Sequence, residues 1–159
     1  MTDVEKKQTG AEELWIGVVS EYTPELAERL GELLQDLSQH YKGGAVPREV
    51  IEEFIESPWH DIVLAVRDEK IVGMLSVSVV MGALIHKNAY LEDFVVDAQC
   101  QGGGVGTALF RYAKAWGRRK GCARLEFTSS GKGKKRQAVD FYLSHGASIR
   151  DTNAFRVEL

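Results

Sequence analysis

The chain has 159 residues, 44% hydrophobic and 27% charged, with a net charge of −3. That length suits one domain able to bury a core, and the weak negative charge excludes the broad positive field of a nucleic-acid-binding protein. Two cysteines, Cys100 and Cys122, without C-x-x-C spacing argue against a disulfide framework or a structural zinc site, and fit a reducing compartment. Residues 1–12 are polar, with no apolar signal core, and are expected to form a flexible tail. With no run near the ~20 apolar residues of a membrane span, a cytoplasmic protein with no membrane partner is expected. Residues 13–159 are expected to form a single domain.

In chain order, Glu13–Tyr22 is β-rich and reads as a strand. Thr23-Pro24 supplies a hydroxyl cap and an N1 proline, and Leu26, Leu30, Leu33, Leu34 and Leu37 follow at helical spacing. Pro47 opens a second helix striped by Val50, Ile51, Phe54 and Ile55, which stops at Ser57-Pro58. "HDIVLAVRD" and "KIVGMLSVSVVM" flank a tight turn at Asp68-Glu69-Lys70 and predict a hairpin. "AYLEDFVVD" is another strand. Four glycines, Gly102, Gly103, Gly104 and Gly106, then precede a helix striped by Val105, Ala108, Leu109, Tyr112 and Trp116 and ended by Gly121. "CARLEFTSS" reads as a strand, "GKGKK" as a basic loop, "RQAVDFYLSH" as a short helix closed by Gly146, and "NAFRVEL" as a last strand. The order β-α-α-β-β-β-α-β-α-β predicts an α+β fold, with helices on the faces of a mixed sheet.

Glycines between a strand and a helix expose amide donors at the positive end of a helix dipole, which suits a phosphate. The dinucleotide pattern G-x-G-x-x-G fails, because its third glycine falls on Thr107 or Leu109. The Walker pattern fails too, since neither Gly131-Lys132 nor Gly133-Lys134 is followed by Ser or Thr. The run Gln101-Gly102-Gly103-Gly104-Val105-Gly106 instead fits Q/R-x-x-G-x-G/A. It resembles the acyl-coenzyme A loop of the GNAT N-acetyltransferase superfamily. "YLEDFVVDAQC" resembles that family's fourth strand, and Arg136, Ala138, Phe141, Tyr142 and Gly146 match its R-x-x-A-x-x-F-Y-x-x-x-G segment. The resemblance extends from Glu13 to Leu159. It departs at Gly103, where many relatives carry lysine or arginine, and at Ser129-Ser130, where relatives often have asparagine.

The resemblance implies a mixed, mostly antiparallel sheet of six to seven strands flanked by about four helices. It also implies transfer of acetyl from acetyl-CoA to a primary amine of a small molecule, by direct attack in a ternary complex. Expected coenzyme contacts are Phe94, Val95, Val96, Gln101, Gly102, Gly103, Gly104, Val105, Gly106, Thr107, Ser129, Arg136 and Tyr142. Tyr142 is the expected acid for the leaving thiolate, because a phenol of pKa ~10 can protonate a thiolate of roughly 8.5. Without the resemblance, Phe141-Tyr142 reads as core packing. Val95 is the expected oxyanion donor at a bulge in the fourth strand. Glu92 and Asp93 alternate in direction along that strand. Glu92, taken to share a face with Phe94, is the expected base, acting through water; the plain alternative is a solvated carboxylate.

No metal is expected, because His40, His60, His86 and His145 lack ligand spacing. Cys100 reads as a small strand-end residue. Lys132, Lys134, Lys135 and Arg136 read first as a solvated loop and second as a coenzyme contact, with nucleic acid unexpected. Tyr41 and Trp59 are candidate walls of the acceptor pocket, and Glu52, Glu53 and Glu56 form an acidic helix face. Family habit implies a homodimer. Acetylation of a protein lysine or N-terminus, or a non-catalytic acyl-CoA sensor, are the competing readings.

Overall fold

A computed structural model of the chain describes residues 13–38, 41–84, 86–129 and 136–159. The chain divides into two compact units, Met1–Phe127 and Thr128–Leu159.

The first unit contains β1 (Leu14–Val18), α1 (Pro24–Leu37), α2 (Arg48–Glu56), β2 (His60–Arg67), β3 (Lys70–Gly82), β4 (His86–Val96), a 3-10 turn (Ala98–Cys100), α3 (Val105–Arg119) and β5 (Leu125–Glu126). The sheet runs β1-β2-β3-β4-β5. Its first four strands are antiparallel, and β5 pairs with β4 in parallel. The sheet is therefore mixed and mostly antiparallel as expected, with five strands among the described residues where six to seven were expected.

Local signals explain most of these elements. Thr23 Oγ1 accepts from the Leu26 N–H at 3.1 Å, with Pro24 in the first turn, so the predicted cap starts α1. Ile62, Leu64, Met74 and Val95 turn one sheet face onto Ala27, Leu30 and Leu33 of α1 and Ile51 of α2. The opposite face takes α3. Gly73 admits Val105 and Leu109 so closely that an added Cβ would stand 3.3 and 3.1 Å from their side chains, and Gly117 lies against Ala89 in the same way. Trp116, 2% exposed, donates its indole N–H to Asp61 Oδ2 at 2.6 Å, which ties α3 to the start of β2.

The β2–β3 hairpin pairs Arg67 with Lys70, so its loop is the two residues Asp68 and Glu69, with φ of 49° and 61°. Both lie in the left-handed region that a two-residue hairpin of this twist requires. Aspartate tolerates that region better than glutamate does. Glu69→Gly is expected to raise stability by about 0.5–1 kcal/mol, the strain relieved less the entropy a glycine loses; the midpoint of urea unfolding measures it.

The second unit holds α4 (Arg136–Ser144), closed by Gly146 at φ 87° with its N–H on the Leu143 carbonyl. The predicted last strand is a correction: Asn153–Leu159 forms no strand, and Phe155, Val157 and Leu159 are exposed. Alternating apolar residues supply one face of a strand, but a strand exists only where a neighbour takes its backbone bonds. For the same reason the predicted strand from Cys122 shrinks to Leu125–Glu126.

Candidate active site

β4 departs from regular pairing after Leu91. Leu91 lies opposite Val77 and Phe94 opposite Leu75, so Glu92 and Asp93 together face Ser76 alone. Ser76, 3% exposed, donates from Oγ to Asp93 Oδ2 at 2.6 Å and accepts the Asp93 N–H at 3.1 Å. The hydroxyl thus takes up the amide that the extra residue removes from the ladder, and fixes the bulge in register. Strict alternation, which placed Glu92 on the face of Phe94, does not carry across it: Phe94 shares its face with Leu91. Glu92 is exposed, while Asp93 is the carboxylate held against the sheet.

The bulge also decides where the backbone amides point. The Asp97 N–H donates to the Val72 carbonyl at 2.9 Å, which makes these two a hydrogen-bonded pair. Such pairs alternate along antiparallel strands. Gly73–Val96 is therefore a non-bonded pair and Met74–Val95 a bonded one. The Val95 N–H is directed at β3, while the amides of Phe94 and Val96 point to the other side of β4. On that side β5 pairs only with Ala89 and Tyr90. Of the three expected residues, Val95 thus turns its amide toward β3, and Phe94 and Val96 turn theirs away from it.

Beyond β4 the chain turns through the 3-10 segment into the glycine loop. Asp97 accepts the Gln99 N–H at 2.9 Å, and the Gln101 side chain donates back to the Val96 carbonyl at 3.3 Å. Gly102 and Gly104 have φ of 79° and 80°. A Cβ on either would meet nothing within 4 Å, so conformation rather than space requires glycine there. Gly104 caps α3, and the first helical bond runs from the Ala108 N–H to the Gly104 carbonyl at 3.0 Å. The amides of Val105, Gly106 and Thr107 lie ahead of that ladder, at the positive end of the helix dipole, in a turn without acidic residues.

The loop is pinned from α1. Arg29 donates from Nε to the Ile71 carbonyl at 2.9 Å and from Nη2 to Asp97 Oδ2 at 2.5 Å. The Arg29 hydrogen bond, with that from the Gln99 amide, holds the Asp97 carboxyl below its usual range. A depressed carboxylate stabilises the fold above its unfolded pKa and loses that contribution as pH falls through the folded value. Asp97→Asn is accordingly expected to be less stable than wild type at neutral pH. The gap should begin to close below about pH 4, where the unfolded carboxylate protonates, and vanish as pH falls through the lower folded value; melting temperatures across pH measure it.

Around the end of β4, Phe94 stacks on Phe110 of α3 with centroids 6.3 Å apart, and Phe127 meets Phe110 edge-on at 5.8 Å. Sequence reading missed Phe110 and Phe127, since neither belongs to a motif. Their only signal is an aromatic on the apolar stripe of a helix and another just past a strand. In the second unit, Tyr142 lies on α4 beside Phe141, with centroids 5.5 Å apart, and burial pushes its phenol up to about 12. Phe141 also packs on His145 at 4.1 Å, and His145 Nδ1 sits 2.7 Å from the Phe141 carbonyl.

Ser129 is exposed, and Arg136 opens α4. Ser130, Lys132, Lys134, Lys135 and His40 lie outside the described residues. Tyr41 donates its hydroxyl to the Gly44 carbonyl at 3.0 Å, and Trp59 is half-exposed under Lys87, whose Nζ lies 5.0 Å from the ring. Glu52 pairs with Arg48. Among the described residues no group of three or more His, Cys, Asp or Glu could hold a metal, and no helix is long and apolar enough to cross a membrane.

Residues 28–147 match the family model described as "Acetyltransferase (GNAT) family". No curated protein matches the chain at a significant level. Similar solved structures include an aminoglycoside acetyltransferase, meta-AAC0020, from an uncultured soil metagenomic sample, with 21% identity, a TM-score of 0.78, and coverage of 92% of this chain and 96% of that one. An acetyltransferase of Trypanosoma brucei has 22% identity and a TM-score of 0.70, covering 92% and 99%. A transcriptional regulator from Bacillus halodurans has 18% identity and a TM-score of 0.75, covering 91% and 99%. At these identities the likeness establishes the fold.

Proposed function

The chain belongs to the GNAT acetyltransferase family, and from that premise we propose that it transfers acetyl from acetyl-CoA to a primary amine of a small molecule. The observation that carries the reading is the juxtaposition at the end of β4. Amides of Phe94 and Val96 turn away from β3 where the pairing with β5 has ended, and a glycine loop leads into the positive end of α3. Such a loop suits a pyrophosphate, and amides beside it suit a pantetheine arm and its thioester. A small-molecule amine is favoured by the structural likeness to an aminoglycoside acetyltransferase.

In the proposed reaction the amine nitrogen attacks the thioester carbon and the carbonyl π electrons move onto oxygen. An amide on the outer side of β4, Phe94 or Val96 rather than Val95, receives that oxyanion. Exposed Glu92 takes the ammonium proton through water. The C–S bond then breaks, and the Tyr142 hydroxyl donates to the leaving thiolate. Gln101 to Thr107 hold the pyrophosphate, and the start of the helical segment at Arg136 and Ser129 flank the coenzyme. No covalent enzyme intermediate is required.

The test is thiol release from acetyl-CoA across polyamines, amino acids, aminoglycosides and peptides. Turnover confined to small amines is expected. Turnover with peptides alone would replace the acceptor class, and tight coenzyme A binding with no turnover for any amine would turn the reading to a sensor.

A further inference from the structure

The glycine loop has few side chains of its own, and another strand supplies one. Arg67 ends β2, opposite Leu14 of β1, and its Nη2 donates to the Gly103 carbonyl at 3.1 Å. The guanidinium occupies the space a side chain at position 103 would enter: a Cβ built on Gly103 falls 3.3 Å from Nη1. Among the described residues no carboxylate forms an ion pair with Arg67, and its Nε is buried without a hydrogen-bond partner. A partly desolvated cation without a counter-charge is costly unless an anion joins it. Here it lies against a loop whose next residues open the positive end of a helix. In a chain of net charge −3, this concentration of positive potential is local.

We propose that Arg67 is a positioning residue for the acetyl-CoA pyrophosphate. It braces the glycine loop through the Gly103 carbonyl and gives the loop the positive charge that a glycine at 103 does not carry. The proposal rests on the acetyl-CoA reading above. It explains why residue 103 is glycine although its backbone, unlike that of Gly102 and Gly104, does not have positive φ.

The experiment measures coenzyme A affinity by calorimetry, and steady-state kinetics, for wild type, Arg67→Ala, Arg67→Lys, Gly103→Lys and the double variant Arg67→Ala with Gly103→Lys. Loss of a charge-assisted contact predicts that Arg67→Ala weakens coenzyme A about 10- to 100-fold, with the loss falling on KM for acetyl-CoA rather than on kcat. Arg67→Lys keeps the charge without the planar fork and should lie between. Gly103→Lys alone presses a second cation on the first and weakens binding. In the Arg67→Ala background the same lysine enters vacated space and restores affinity. An arginine that only stabilised the fold would not be rescued by a lysine on a different element. Equal affinity in wild type and Arg67→Ala overturns the proposal, as does failure of the double variant to recover when Arg67→Ala melts at a lower temperature. A wild type that binds no coenzyme A overturns the acetyl-CoA reading and this proposal with it.

Discussion

Tyr142→Phe is expected to lower kcat about 10²- to 10³-fold, with coenzyme A affinity and melting temperature close to wild type. The leaving group in thioester aminolysis is a thiolate whose conjugate acid has a pKa of roughly 8.5. Burial pushes the Tyr142 phenol up to about 12, so it is protonated at any working pH. It is also a weaker acid than an ordinary tyrosine, and full transfer from the resting fold is uphill. Its contribution is therefore greatest as a hydrogen-bond donor to sulfur while charge develops, with transfer completed as the amine surrenders its own proton. Phenylalanine preserves the ring against Phe141 and removes only the donor. Full activity in the variant would remove the acid role and leave the family assignment standing.

The same burial fixes a pH signature. Desolvation penalises the phenolate, so Tyr142 should ionise at about 12. In an ultraviolet titration the late component should vanish in Tyr142→Phe. A kcat profile should show no alkaline limb from this residue below its folded pKa. A limb that appears lower and persists in the variant belongs to another group.

Much of this architecture is legible in the residues because it is local. Thr23-Pro24, the period of Leu26 to Leu37, the hairpin and the glycine run each carry their own conformational instruction, and each element stands where it was expected. What the residues do not reveal depends on partners distant in sequence. The bulge needs Ser76 to meet Asp93, and neither residue announces the other. The resemblance implies a bulge but not its place, and strict alternation then mis-pairs Glu92 with Phe94. Arg67 reads as an ordinary strand-end cation until the fold brings it to Gly103. The C-terminal "NAFRVEL" has the alternation of a strand without the neighbour that would make it one.

Gly31→Ala gives the sharpest case of such a hidden contact, and the largest expected loss of stability. Judged by helix propensity alone, glycine within α1 is a liability, and alanine should gain about 1 kcal/mol. The structure reverses the sign. A Cβ at Gly31 would stand 1.9 Å from the Gly44 carbonyl oxygen, which is backbone and already receives the Tyr41 hydroxyl at 3.0 Å. Two residues on, the Val46 N–H is bonded to the Ala27 carbonyl of α1 at 3.0 Å. The loop cannot retreat from the helix without breaking that bond and lifting Val46, 8% exposed, out of the core. A net destabilisation of about 2–4 kcal/mol is expected, since overpacking against backbone exceeds the usual cost of overpacking against side chains. Gly44→Ala is the control: a Cβ there meets nothing within 4 Å but must adopt φ 95°, so it should cost only about 1–2 kcal/mol of backbone strain. Urea unfolding of both variants decides the matter. A neutral or stabilising Gly31→Ala would mean that α1 and the 41–47 loop are not in this contact. A loss larger than that of Gly44→Ala would establish that the loop leading into α2 is held by direct backbone apposition to α1.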